Sequence, residues 1–226
     1  HVDRCEEEDA SAFAVNALGA RYVAEAAEKL GARLIFISTD YVFDGDKKQP
    51  YIETDAPAPV NVYGLSKLAG EFFTRYCCTR HYILRTSGLY GLNTCWGKGT
   101  NFVDTMLELG QKNHTLPVVE DEVLTPTFTE DLAHQIRGFI EAPPVAGIYH
   151  ATNEGECSWF EFASEIFSKA GIDMHLTRTT AAAWKAAARR PSYSVLENKA
   201  LKDAGINTFP HWRDALARYL AKRRRA

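Results

Sequence analysis

The chain has 226 residues, 46% hydrophobic and 24% charged, with 26 basic against 29 acidic side chains and a net charge of −3. That is enough for a sizeable core in one large or two small domains, and too little positive charge to argue for nucleic acid as a partner. Five cysteines, an odd number that includes adjacent Cys77 and Cys78, make no disulfide framework and suit a reducing cytoplasm. No Cys/His spacing suits zinc, no apolar run is long enough to cross a membrane, and the N-terminus lacks the shape of a signal peptide.

The pattern from about Asp9 to Leu30 predicts a helix ended by Gly31, with Phe13, Leu18, Tyr22, Val23, Ala26 and Leu30 on its buried side. Asn16, midway, reads as a buried amide bound to backbone. Arg33 to Ile37 is apolar, β-branched and too short for a helix, which predicts a buried strand. It runs into Ser38-Thr39-Asp40, placing two hydroxyls and a carboxylate at the carboxyl end of a strand, where open α/β sheets bind ligands. After a loop with Asp44-Gly45 and prolines 50, 57 and 59, a helix begins near Asn61 and runs to about Cys78. It carries Tyr63 and Lys67 at i and i+4, on one face.

His81 to Thr86 predicts the next parallel strand, again with a polar exit, Arg85-Thr86-Ser87. A glycine-rich loop follows to Thr100. Its Gly97-Lys98-Gly99 lacks the third glycine and the preceding strand of a phosphate loop. Asn101 opens a helix through Leu109, Leu116 to Val119 is a short strand, and Thr129 with Glu130 and Asp131 marks a helix start. Gly147 to Ala151 is a short strand, and Ser158-Trp159-Phe160-Glu161 is a capping box. Ala181 to Ala188 predicts a helix broken by Pro191, and a last helix begins at His211 with Trp212, Leu216, Tyr219 and Leu220 inward. The basic tail from Lys222 to Arg225 reads as a solvated helix end. Alternating strands and helices through Ala151 predict a right-handed parallel sheet, and the weaker alternation beyond predicts a small second lobe.

A Tyr-x-x-x-Lys match alone is a weak signal, because a surface pair produces it as readily. Its chemistry gains force beside the strand-end hydroxyl of Thr39 or Ser38. A phenol with an ordinary pKa of about 10 exchanges a proton near neutrality only if its anion is stabilised, which asks for roughly 3–4 kcal/mol from a nearby cation. Such a trio protonates or deprotonates an oxygen while a hydride moves.

Ser38 to Gly45 and Asn61 to Glu71 together resemble the extended short-chain dehydrogenase/reductases, and more narrowly the dTDP-4-dehydrorhamnose reductases. Arg85-Thr86-Ser87, Asn101-Phe102-Val103, Thr125-Pro126-Thr127, His150, Arg190-Pro191 with Ser194, and Pro210 to Leu216 agree in the same order. The resemblance implies an α/β fold, a Rossmann-like doubly wound parallel sheet, with 1–150 as the later part of the nucleotide-binding domain. It implies a small C-terminal substrate-binding lobe over 151–226, with contributions from 88–113. It implies catalytic roles for Thr39, Tyr63 and Lys67, a cofactor, NADPH or NADH, met by Ser38, Tyr63, Lys67, Arg85, Thr86 and Ser87, and a dTDP-sugar met by Val2, Thr39, Tyr41, Tyr63, Asn101, Phe102 and Arg190. The expected setting is cytoplasmic, and a homodimer is compatible with it.

Two alternatives stay open at this point: another nucleotide-sugar epimerase or reductase of the superfamily, and a non-catalytic subunit resembling the regulatory subunit of methionine adenosyltransferase. Only Asp40 follows Thr39 where dehydratases carry an acidic pair. Gly88 stands where many reductases have a tryptophan that packs on the sugar, and Trp96 is the candidate replacement for that wall. No glycine-rich pyrophosphate turn follows a strand anywhere in the sequence. The expectation is therefore an N-terminally truncated enzyme that lacks the first strands of the sheet and the adenosine end of the cofactor site.

Overall fold

The fold was analysed in a computed structural model, which describes residues 1–93 and 99–224. Helices α1 (Val2–Glu7), α2 (Asp9–Phe13) and α3 (Gly19–Lys29) lead into strand β1 (Leu34–Thr39). Then come α4 (Val62–Cys77), β2 (His81–Thr86), β3 (Leu89–Tyr90), α5 (Phe102–Lys112), β4 (Thr115–Val119), β5 (Val123–Leu124), β6 (Thr127–Phe128) and α6 (Thr129–Glu141). The chain continues through β7 (Gly147–His150), β8 (Cys157–Ser158), α7 (Trp159–Ala170), β9 (His175–Thr179), α8 (Ala181–Trp184), α9 (Lys199–Asp203) and α10 (Trp212–Arg223).

Strands β1, β2 and β7 form a parallel sheet in that order. Because side chains alternate along a strand, each strand serves two layers. Ile35 and Ile37 of β1 join Tyr82, Leu84 and Tyr149 against Leu132 and Phe139 of α6 and Leu201 of α9. The opposite face receives α3 and α4, with Leu34 packed on Ala24, Ala27 and Cys78. This is the doubly covered parallel sheet expected. Strand β1 runs two residues further than its apolar stretch because Ser38 and Thr39 keep register with Arg85 and Thr86.

The helix expected over 9–30 is interrupted by a π turn at Ala14–Leu18, and its buried face differs from the one predicted. Ala12, Ala17, Ala20, Ala24 and Ala27 are buried, while Leu18, Tyr22, Val23 and Leu30 are exposed. A helix pressed closely onto α4 has room only for small side chains, so size misleads about which face is inside. Asn16 is half-buried and donates to the Ser66 hydroxyl of α4 at 3.0 Å, not to backbone. The alanine-rich helix also falls short of 188: α8 stops at Lys185, which is left-handed at φ 49°. Its alanines offer no apolar face large enough to hold a longer helix.

Beyond the sheet, an aromatic core gathers Tyr90, Phe128, Phe162, Trp212 and Tyr219 with Val103, Leu107 and Leu216. Parallel β4 and β9 lie beside it, and the Ser158 capping box starts α7 as predicted.

One polar cluster is buried within the sheet layers. Arg85, on the α4 face of β2, donates to Glu71 from Nε at 2.9 Å and Nη2 at 2.6 Å, with both side chains 2% exposed. Ser38 donates to the same carboxylate at 2.5 Å. Removing one partner of a buried pair strands the other charge, so Arg85→Met is expected to cost about 3–5 kcal/mol of unfolding free energy in urea titration. A cost below about 1 kcal/mol would mean that solvent reaches Glu71.

Candidate active site

The site lies where β1 and β2 end and α4 begins. Helix α4 is placed by its first turn. Asn61 caps it by accepting from the Gly64 amide at 2.7 Å, and its own amide donates to the Arg189 carbonyl at 2.8 Å. Gly64 lies so close to the Tyr41 carbonyl that a Cβ would sit 2.1 Å from that oxygen. Only glycine lets the start of α4 reach the turn after β1.

That approach brings Thr39, Tyr41, Tyr63 and Lys67 together. The Tyr41 and Tyr63 rings meet edge to face at 6.0 Å. The Thr39 hydroxyl hydrogen-bonds with the Tyr63 phenol, whose pKa burial nevertheless pushes up to about 12. The expectation of a phenol lowered by Lys67 is thus reversed here. Lys67 stands over the Phe36 ring, 4.1 Å from its centroid, and burial lowers its pKa to about 8 while Glu71 partly opposes the shift. Among the described residues no carboxylate lies within ion-pair distance of its ammonium.

The two strand-end hydroxyls separate cleanly. Ser38 is spent on Glu71, so Thr39 is the hydroxyl that faces Tyr63. Arg85, expected beside the cofactor, is committed to Glu71 instead. Ser87 donates to Asp40 at 2.7 Å, and the Thr86 hydroxyl is buried with no hydrogen-bond partner among the described residues.

Val2 and Arg190 meet at a cavity of about 480 Å³, lined also by His1, Asp3, Arg4 and Glu7. Arg190 is held there by a two-point pair with Asp3, at 2.9 and 3.2 Å. Asn101 and Phe102 stand at the start of α5, beside the aromatic core. Asn101 caps α5 and donates to the Gly91 carbonyl at 3.0 Å, while Phe102 packs on Trp159 with centroids 4.4 Å apart. Trp96, the candidate sugar wall, and the Gly97-Lys98 pair lie outside the described residues.

The space at Gly88 is not open. A Cβ there would meet Leu124 at 2.7 Å and the Pro126 backbone at 3.1 Å, and the residue has φ +53°. Leu124 and Pro126 therefore occupy the place beside this turn. Sequence reading missed the anchoring roles of Glu71 and Asn61. The available signal for Glu71 was a carboxylate one helical turn past Lys67 on the same face, and for Asn61 its position just before the helix. Gly88→Ala is expected to destabilise the protein by at least about 1 kcal/mol in thermal unfolding, since a left-handed backbone and a crowded Cβ both oppose it.

The RmlD substrate binding domain model matches residues 1–225. The chain is 42% identical over 222 residues to the Bacillus subtilis spore coat polysaccharide biosynthesis protein SpsK, covering 98% of this chain and 76% of that protein. It is 39% identical over 229 residues to the Escherichia coli dTDP-4-dehydrorhamnose reductase, covering 97% and 75%. The crystal structure of Bacillus anthracis dTDP-4-dehydrorhamnose reductase in complex with NADP superposes with a TM-score of 0.93 at 42% identity, over 98% of this chain and 76% of that one. With the family model, sequence relatives and solved structures all matching nearly its whole length, the chain belongs to the RmlD substrate binding domain family, among the dTDP-4-dehydrorhamnose reductases.

Proposed function

We propose that this protein reduces dTDP-4-dehydro-L-rhamnose to dTDP-L-rhamnose with NADPH or NADH, a step in nucleotide-sugar supply for cell-surface polysaccharide. The observation that carries the reading is the convergence of Thr39, Tyr63 and Lys67 at the strand ends, in a chain whose relatives carry that activity by name. Lys67 fits the cofactor. It is a desolvated cation over the face of Phe36, with no carboxylate within ion-pair distance among the described residues, so its donors suit the hydroxyls of a ribose. A nicotinamide cofactor, when bound there, would supply the hydride. Tyr63, protonated at neutral pH because burial holds its pKa near 12, gives its proton to the forming alkoxide. Thr39 donates to the sugar carbonyl, and Lys67 holds the ribose and stabilises the phenolate that Tyr63 becomes.

Val2, Tyr41 and Arg190 border the sugar nucleotide in this reading, with Asn101 and Phe102 shaping the lobe that covers it. Thr86 and Ser87 line the nicotinamide side; Ser38 and Arg85 support it indirectly through Glu71. The reading assigns 1–150 to the nucleotide-binding part and 151–226, with 88–113, to the substrate lobe. It sets the protein in the cytoplasm with a homodimer as a compatible assembly. No helix among the described residues is long and apolar enough to cross a membrane.

Tyr63→Phe is expected to lower kcat by at least about 10²-fold with folding intact, the scale for losing a positioned general acid. Retention of more than half the activity would remove Tyr63 from the acid role. Lys67→Met is expected to weaken both cofactor affinity, by calorimetry, and turnover. Unchanged affinity would refute the ribose contact. Ketone reduction needs Lys67 charged and Tyr63 protonated, so kcat/KM should fall as pH rises through about 8, where Lys67 loses its proton well before Tyr63 does. A profile flat to pH 10 would contradict this order.

A further inference from the structure

Asp40 is 4% exposed at the end of β1, and its surroundings differ from those of the other buried carboxylate in the site. Glu71 faces a guanidinium. Asp40 faces hydroxyls. Ser87 and Ser194 donate to its Oδ2 at 2.7 and 2.6 Å, and Thr39 Oγ1 lies 3.1 Å from its Oδ1. Among the described residues no Lys, Arg or His stands within ion-pair distance. The titratable groups that face it are the phenols of Tyr41, on its own turn, and Tyr63, on α4. Beyond Tyr41 lie Arg190, already paired with Asp3, and Glu122.

A proton count shows what this arrangement accommodates. Two serine protons fill the lone pairs of Oδ2, leaving Oδ1 to Thr39. The Thr39 oxygen already accepts from the Tyr41 amide at 3.3 Å, and its hydroxyl has one proton to give. A carboxylate accepts far more strongly than a ketone, so an ionised Asp40 would draw that proton to itself. Thr39 would then have none for a sugar carbonyl. A neutral acid satisfies every atom differently: Oδ2 accepts from both serines, Oδ1–H donates to Thr39, and the Thr39 proton is left for the Tyr63 phenol or, when substrate is present, for its carbonyl oxygen. An ionised carboxyl buried without a cation is also the costlier state.

We propose that Asp40 is held as the neutral carboxylic acid and donates a hydrogen bond to Thr39, a positioning residue that aims the Thr39 proton at the substrate carbonyl. The inference rests on the role given to Thr39 above. Burial, the largest influence on Asp40, raises its pKa, and the three hydroxyls only oppose that shift. Asp40 keeps its proton throughout; it sets a direction and transfers nothing.

The protein labelled with [4-13C]aspartate tests the protonation state without substrate. At pH 7 one side-chain carboxyl carbon is expected at the protonated position. It should be lost in Asp40→Asn and shifted in Ser194→Ala, which separates it from Asp131, the buried aspartate beside Arg218. A wild-type spectrum in which every aspartate is ionised would overturn the proposal, whether or not the variant folds. In turnover, Asp40→Asn can donate from its amide to Thr39 and accept from both serines, so kcat should stay within about threefold of wild type. Asp40→Ala, which leaves Thr39 unaimed, should lose about 10²-fold, the scale of a lost donor to a developing oxyanion. Equal losses in Asn and Ala variants would show that the ionised form is needed. Full activity in Thr39→Val would retire the carbonyl role of Thr39 while leaving the NMR result standing.

Discussion

The buried contact of Arg85 and Ser38 with Glu71 is the constraint on which the site depends. Glu71 lies four and eight residues beyond Lys67 and Tyr63, on the same face of α4. Three donors from two adjacent strands hold its carboxylate, so the helix can neither rotate nor slide relative to the ends of β1 and β2. Buried ion pairs contribute little net stability against a well-packed apolar alternative. What this one contributes is register: it decides which side chains of α4 stand over the strand ends.

The amino end of the same helix is fixed by sterics and capping. Asn61 joins the helix start to the Arg189 backbone, and Gly64 lets it press on the Tyr41 carbonyl. Anchored at both ends, α4 presents Tyr63 and Lys67 between the Tyr41 ring and the Phe36 ring. This desolvation keeps Tyr63 protonated and lowers the Lys67 pKa to about 8, the opposite of the shifts that a solvated tyrosine–lysine pair would show.

The later part of the chain reaches the site through polar threads. Ser194 donates to Asp40, and Arg190 pairs with Asp3 of α1, so the segment after Ala188 touches both the strand end and the N-terminal helix. The aromatic core joins α5, α7 and α10, with Tyr219 donating to Asp104 at 2.8 Å beside it. Phe102 packs against that core, which gives its sequence motif a structural reason.

Much of this was legible in the sequence because it is local. The apolar run before Ser38-Thr39, the Tyr63 and Lys67 spacing, the Asn61 start and the Ser158 capping box depend on neighbours within one or two turns, so pattern alone determined the parallel-sheet class and, with the family resemblance, singled out Thr39, Tyr63 and Lys67 as candidates. What only the tertiary structure decided involves partners distant in sequence. That Ser38 turns to Glu71 while Thr39 turns to Tyr63, that Arg85 is an anchor, and that Leu124 occupies the space beside Gly88 follow from residues 33, 24, 14 and 36 positions apart being brought into contact. The buried face of α3 belongs with these. Periodicity marks apolar residues, but the closeness of the neighbouring helix determines whether leucine or alanine fits between them.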